Sequence, residues 1–322
     1  KAFGLNTVIF QVRPFSDSFC SSEIFPWSSY ITGEQGKNPG YDPFLIATNE
    51  AEKYGLKIEA WINPYRVSYK DNFDDLSESN PAKQWYTDNP LTDDLIITGS
   101  GIYYNPSSKR AQKIIIDGVR EIVKNYNISA IHMDDYFYPS LETSEKMNDD
   151  AEYDQYGKSQ FNNIDDFRRN NVNVVIQNIQ KTIIETRPDV IFSISPAANM
   201  DSNYNTLFAD VKKWSKEGWV DVIIPQLYFA TGTDVNSFNQ RLDLWSQYIY
   251  ENHFLVGYGI YKFGDPAYGS IFQSSDDLKK QFDFANTKSK VKGSVLYSVK
   301  YMVENKVGIM NVIRNVYKTP VL

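Results

Sequence analysis

The sequence predicts an α/β fold: a (β/α)8 TIM-type barrel whose first strand is missing from this chain. Three observations predict it. Seven β-branched runs, each about as long as a buried strand, recur along the 322 residues. Segments with helical periodicity and recognisable ends separate them. The longest connections all follow the carboxyl ends of strands, where such barrels build their sites. Strand alternating with helix is the pattern of a parallel sheet, and eight such units take about 250 residues plus insertions. No Pro/Ser-rich linker interrupts the rhythm, so residues 1–322 read as a single barrel domain.

Taken in order, Lys1 to Gly4 reads as the last turn of a helix stopped by Gly4, which sets the missing strand ahead of the chain. The run TVIFQV (7–12) is the first strand present. After a connection over 13–42, Asp42-Pro43 supplies an N-cap and a proline at the first helical position, and Gly55 ends that helix. KIEAWI (57–62) follows, then the connection 63–107 and a helical segment near 108–125. ISAIHM (128–133) leads into the connection 135–164 and a helix over 165–187, stopped by Pro188. Within that connection, 139–160 is acidic and reads as a loose, solvated lid. VIFSIS (190–195), DVIIPQL (221–227), FLVGYG (254–259) and SVLYSV (294–299) are the remaining strands. Helical segments near 206–217, 235–252, 276–287 and 304–317 lie between and after them. The connections 13–42, 63–107 and 135–164 therefore form the face on which a site is expected.

Alternation assigns side chains to the barrel interior or to the helix layer. With Val8, Phe10 and Val12 outward, Ile9, Gln11 and Arg13 face inward. With Ile58, Ala60 and Ile62 outward, Glu59, Trp61 and Asn63 face inward. With Ile131 and Met133 outward, His132, Asp134 and Tyr136 face inward. Ser193 and Ser195 follow on the next strand, and Gln226 and Tyr228 share one parity near the end of theirs. Singly, each has a structural explanation: Arg13 as a salt-bridge partner of Asp134, Asn63-Pro64 as a turn. Their convergence on one barrel end weakens that explanation, because each unsatisfied buried polar group costs ~1–3 kcal/mol.

Composition narrows the chemistry. A net charge of −7 and a pI near 5.0 argue against nucleic acid, which needs clustered Lys and Arg. Cys20 is the single cysteine, so neither a disulfide nor a thiolate cluster forms within the chain. No apolar run reaches the length of a transmembrane segment. With His132 and His253 the only histidines and no HxxxH spacing, zinc hydrolysis is disfavoured, and no metal site is expected. GxSxG, GxGxxG and Walker sequences are absent, so neither serine acyl transfer nor a cofactor is expected. The sequence carries no signal for oligomeric state.

Carboxylates remain. Aromatics make up 15% of the chain, and many sit in loops, where Tyr and Trp offer an apolar face and a polar edge to sugar rings. Paired acids in an aromatic cleft fit glycoside hydrolysis. In IHMDDYFYP (131–139), neighbours on a strand point to opposite sides, which gives Asp134 to the cleft as nucleophile or base and leaves Asp135 to brace the loop. Glu59 is then the second acid, and Asp134, Glu59 and Asp135 make up the candidate catalytic set. The substrate-binding set is Gln11, Arg13, Trp61, Asn63, Tyr65, Arg66, His132, Tyr136, Tyr138, Ser195, Gln226 and Tyr228, with Trp61, Tyr136 and Tyr138 as stacking surface. Two other readings stay open at this point: a non-catalytic carbohydrate-binding or cell-wall scaffold barrel, and an oxygen-ligand cation site at Asp134 and Asp135.

Seven motifs in order, NTVIFQVRP, PWSSYITGEQGKNPGYDP, AWINPYRV, IHMDDYFYP, FRRNNVN, ISP and EGWVDVIIPQLY, resemble the glycosyl hydrolase-like family 10 barrels of bacteria. Some members cut peptidoglycan glycan strands stripped of their peptides. The resemblance covers nearly the whole chain. It implies a (β/α)8 barrel, an exported or lipid-anchored location at the cell envelope, and cleavage of an oligosaccharide or polysaccharide with Asp134 at the acidic motif. The chain departs from the family pattern in two places: the usual first strand lies upstream of anything present, and Glu59 stands where relatives often carry His.

Overall fold

In the computed structural model, residues 3–140 and 145–317 are described. Seven parallel strands form one curled sheet: β1 (Thr7–Arg13), β2 (Lys57–Ile62), β6 (Ala130–Met133), β7 (Ile191–Ile194), β8 (Val222–Ile223), β9 (His253–Tyr258) and β10 (Val291–Leu296), in that spatial order. Every neighbouring pair is parallel. Helices connect them, as parallel pairing requires. This is the expected (β/α)-barrel sheet with seven of its strands, and β1 and β10 form its two edges. At these edges Val8 is 41% exposed and Val291–Leu296 is nowhere fully buried, whereas the central β6 is buried throughout.

The helices begin and end where the sequence placed stops. In Pro43–Lys53 the Asp42 carboxylate accepts from the Leu45 N–H at 2.8 Å, and Gly55 follows in a left-handed conformation. Lys109–Asn125 and Ile164–Thr186 are capped by Ser108 and Asn163 and pack against one another. The outward parity of each strand meets this layer: Phe10 against Phe44, and Ile131, Met133, Phe192 and Ile194 in the core. At the amino end, Lys1 and Ala2 lie outside the described residues. Gly4, at φ +76°, closes so tightly on Tyr317 that a Cβ would overlap the Tyr317 carbonyl.

Three sequence expectations are corrected. The stretch 63–107 is not only connection, since it holds a three-stranded antiparallel sheet, β3 (Arg66–Ser68), β5 (Gly101–Tyr104) and β4 (Leu95–Thr98), with Pro81–Asp88 as a helix. The stretch 139–160 is not a loose lid. Buried Asp149 accepts from Arg168 Nε and Nη2 at 2.7 Å each, and Glu145 accepts from the Gly99 N–H at 2.8 Å, while 141–144 lie outside the described residues. Arg13 does not face the barrel interior. The pairing of β1 with β2 slips between Gln11 and Arg13, so that Arg13 pairs with outward-facing Ile62 and turns to the helix layer. There it lies 4.0 Å over the Phe25 ring and 3.9 Å from Glu121. Gly118 leaves it room: a Cβ at that position would overlap the guanidinium.

Candidate active site

The carboxyl ends of β1, β2, β6, β7 and β8 bring one polar cluster together. Asn63, just past β2, donates from Nδ2 to both oxygens of Asp134 at 2.6 and 2.7 Å. Gln11 on β1 donates from Nε2 to Asn63 Oδ1 at 2.6 Å, which fixes the amide so that its NH2 faces the acid. The Tyr136 N–H adds a third donor to Asp134 at 3.3 Å. Asp135, the next residue, accepts from Gln226 Nε2 at 3.0 Å. Gln226 is held in turn by the Ser195 carbonyl at 2.9 Å, and Ser195 Oγ donates to the Ile224 carbonyl at 2.8 Å.

Asp135 is therefore not turned away as a loop brace. Regular strand ends at Met133, so alternation no longer constrains 134 and 135, and both acids reach the cleft. They share a field. Burial pushes the Asp134 carboxyl up to about 7, with the neighbouring Asp135 charge adding to the rise and Asn63 opposing it. Asp135 is raised too, mainly by burial, with Gln226 and Arg66 favouring its charged form.

Aromatic side chains wall this cluster. Tyr228 stacks on Tyr297 with ring centres 6.1 Å apart, Tyr261 stands edge-on to Tyr228 at 5.8 Å, and Trp61 meets Tyr297 at 6.4 Å. Arg66 lies 4.3 Å over Tyr136, which is 46% exposed. Sequence reasoning missed Tyr261 and Tyr297. Tyr297 sits within a run already read as a strand, at its carboxyl end, and that position was the available signal.

Four of the expected site residues lie elsewhere. Arg13 is in the helix layer, as described. Tyr65 and Tyr138 are fully buried, Tyr138 edge-on to Phe208 at 5.1 Å, so neither offers a surface to a ligand. Glu59 sits four residues before Asn63, roughly 13 Å deeper along the strand. It lines a cavity of about 740 Å³ at the opposite barrel end, with Thr7, Ile191, Val222 and His253 from the starts of other strands. Its Oε2 accepts from Ser193 Oγ at 2.9 Å, and Ser193 accepts from His132 Nδ1 at 2.7 Å. Because the serine proton is committed to Glu59, His132 must carry its own on Nδ1. His132 presents its ring to Trp61 at 6.1 Å, underlying the cleft floor.

No group of three or more His, Cys, Asp or Glu side chains gathers as a metal site among the described residues. No described helix is long and apolar enough to cross a membrane.

Residues 1–270 match the glycosyl hydrolase-like 10 family. The glycosyl hydrolase YngK of Bacillus subtilis is 36% identical over a 341-residue alignment that takes in 100% of this chain and 66% of that protein. The glycosyl hydrolase DigH of Escherichia coli K12 is 31% identical over 328 residues, 94% of this chain and 74% of that protein. The chain thus spans about two thirds to three quarters of the length of these relatives. Among solved structures, the glycoside hydrolase domain of PgaB from Bordetella bronchiseptica superposes with a TM-score of 0.66 at 10% identity, over 98% of this chain and 90% of that one. Alpha-L-fucosidase isoenzyme 2 from Paenibacillus thiaminolyticus gives 0.59 at 12% identity, over 98% of this chain and 44% of that one. At these identities the two structures speak for the barrel fold alone.

Proposed function

The chain belongs to the glycosyl hydrolase-like 10 family, and from that premise we propose that it is an O-glycosyl hydrolase cutting a bacterial glycan, peptidoglycan strands included. One observation carries the reading: a buried acid and its half-buried neighbour share a field beneath an aromatic wall, with the buried carboxyl pushed up to about 7. Glycosidic cleavage asks for that division, one carboxyl holding a proton and another ionised. Asp134 is the proton donor. It gives its proton to the leaving glycosidic oxygen as the bond from that oxygen to the anomeric carbon breaks. Asp135, in its ionised form, is the carboxylate that meets the positive charge growing on the sugar ring; water then adds to the anomeric carbon, and the proton it gives up returns to the carboxylate pair. A carboxyl that titrates near 7 could serve as a base as well, so the donor role rests on Asp135 being the less buried acid, whose charged form Gln226 and Arg66 favour.

The other cleft residues bind and orient. Asn63, with Gln11 behind it, fixes Asp134, while Gln226 and Ser195 fix Asp135. Trp61, Tyr228 and Tyr297 supply ring faces for sugars, and Arg66 and Tyr136 border the opening. The substrate reading implies work outside the cytoplasm, at the cell envelope, which fractionation of the native protein would test.

The deciding assay incubates peptidoglycan glycan strands stripped of stem peptides with the protein and measures released reducing ends. Release is expected from wild type and loss of at least about a hundredfold from Asp134→Asn, the scale of general acid catalysis. Full turnover by that variant would remove Asp134 from the chemistry. Strand binding without release by wild type would favour the scaffold reading instead.

A further inference from the structure

A second cavity, of about 470 Å³, opens beside the cleft between the connection after β1 and the small sheet. Phe15, Tyr30 and Tyr69 form an aromatic wall. Phe15 stacks on Tyr30 with centres 6.4 Å apart and meets Tyr69 at 5.4 Å, and the two tyrosines are 61% and 55% exposed. The cavity also contains a buried acid that keeps one oxygen unpaired, although Ser28, Gln35 and the Phe15 backbone favour its charged form. Asp17 is 2% exposed, lines the cavity, and leaves Oδ1 with no hydrogen-bond partner. A buried carboxylate oxygen without a donor is costly, and a donor brought by a ligand would remove the cost.

The charge around it indicates the kind of donor. Asp17, Glu34, Asp74 and Asp75 line the cavity together with one lysine, Lys70, which is already paired with Asp75 at 3.0 Å. Three acids are left facing the space without an ion pair. Such a field attracts a cation. One side chain links the cavity wall to the main cleft: Arg66 lies 4.8 Å over Phe15 on one side and 4.3 Å over Tyr136 on the other, and the Tyr136 N–H reaches Asp134.

We propose that this cavity is a distal subsite for an amino-sugar ring bearing a free ammonium group, with the ring on Tyr30 and Tyr69 and the ammonium donating to Asp17 Oδ1. The inference rests on the main cleft being a glycan site and adds a preference that the cleft alone would not give. An N-acetyl group at the same position brings no charge, and a single amide N–H in place of three ammonium hydrogens.

The test measures calorimetric binding of glucosamine tetrasaccharide and of its fully N-acetylated counterpart at pH 6.5. An Asp134→Asn background prevents turnover. The free-amine tetramer is expected to bind about tenfold more tightly, the scale of a charge-assisted hydrogen bond. Adding Asp17→Asn should abolish that preference without changing affinity for the acetylated tetramer, and Tyr69→Ala should weaken both. If Asp17→Asn fails to fold, the exposed pair Glu34→Gln/Asp74→Asn carries the same test and should reduce the preference. Equal affinities, a preference that survives these charge changes, or no binding of either tetramer would overturn the subsite. Reducing-end release by Asp17→Asn in an otherwise wild-type chain separates the two readings. Cleavage with no amine preference sinks the subsite alone, whereas a preference without cleavage by wild type sinks the hydrolase.

Discussion

Asp134→Asn has a consequence for stability that needs no substrate. Holding the Asp134 carboxyl at about 7, against 3.8 when it is free in water, means that folding disfavours its charged form. The sign follows from proton counting. Between these two values the native state holds a proton that the unfolded state has released, so stability falls as pH rises from about 4 to about 7 and is flat above. At ~1.4 kcal/mol for each tenfold change in proton affinity, the whole interval is worth on the order of 4 kcal/mol. Asparagine never ionises. Relative to wild type, the variant should therefore gain stability progressively across that window, and the gain should level off above pH 8. Part of it also comes through Asp135, which loses its like-charged neighbour. Urea denaturation at half-unit steps from pH 4.5 to 8.5 reads the difference directly. A gap that stays constant or narrows with pH would mean that Asp134 ionises like an exposed acid, and the proton-donor assignment would fall with it.

Asn63→Ala removes the two contacts that favour the charged form of Asp134, so the basic limb of the pH–rate profile should move up by roughly one pH unit, while kcat drops because the acid is no longer fixed. An unmoved limb would assign that titration to another group. Glu59→Gln should leave glycan cleavage within about threefold of wild type, because the residue faces the other end of the barrel; a loss of a hundredfold or more would return it to the chemistry. Tyr136→Ala, at a half-exposed position, should raise KM by several-fold with kcat little changed, the pattern of lost uniform binding. A fall in kcat at constant KM would instead give Tyr136 a part in the transition state.

What the sequence disclosed and what it hid follow from one physical distinction. Strands buried on both faces announce themselves as β-branched runs, and helices between them as capped periodic segments, so all seven barrel strands were legible. The small sheet was not. Its strands are three or four residues long and lie within the stretch 63–107 that reads as a connection. Parity worked wherever regular pairing held, as for Gln11, Trp61 and His132. It failed at two points where pairing departs from the rule. A bulge between Gln11 and Arg13 sends the arginine to the helix layer, and the end of β6 at Met133 frees Asp135 to join Asp134. Tyr65 and Tyr138 illustrate a third cause. Parity says nothing about loop residues, and their aromatic character suits a buried floor as well as a stacking wall.

The position of the two acids in the sheet explains how neighbours in sequence can serve opposite roles. Past the end of β6, Asp134 is drawn toward β2 by Asn63, and Asp135 toward β8 by Gln226. These strands lie on opposite sides of β6, one strand away and two strands away. Adjacent residues are thus drawn toward different strands, while the Asp135 charge still raises the Asp134 carboxyl. Burial is the first cause of the rise in both carboxyls, and Asp134 is the more deeply buried of the two, although it receives more donors. Asn63 is a neutral amide packed beneath a fully buried acid. Gln226, also a neutral amide, holds the less buried carboxylate, and the charge of Arg66 favours the ionised form of both. Under the proposed reaction, this pair would divide the work of donor and charged partner between two carboxyls of different burial.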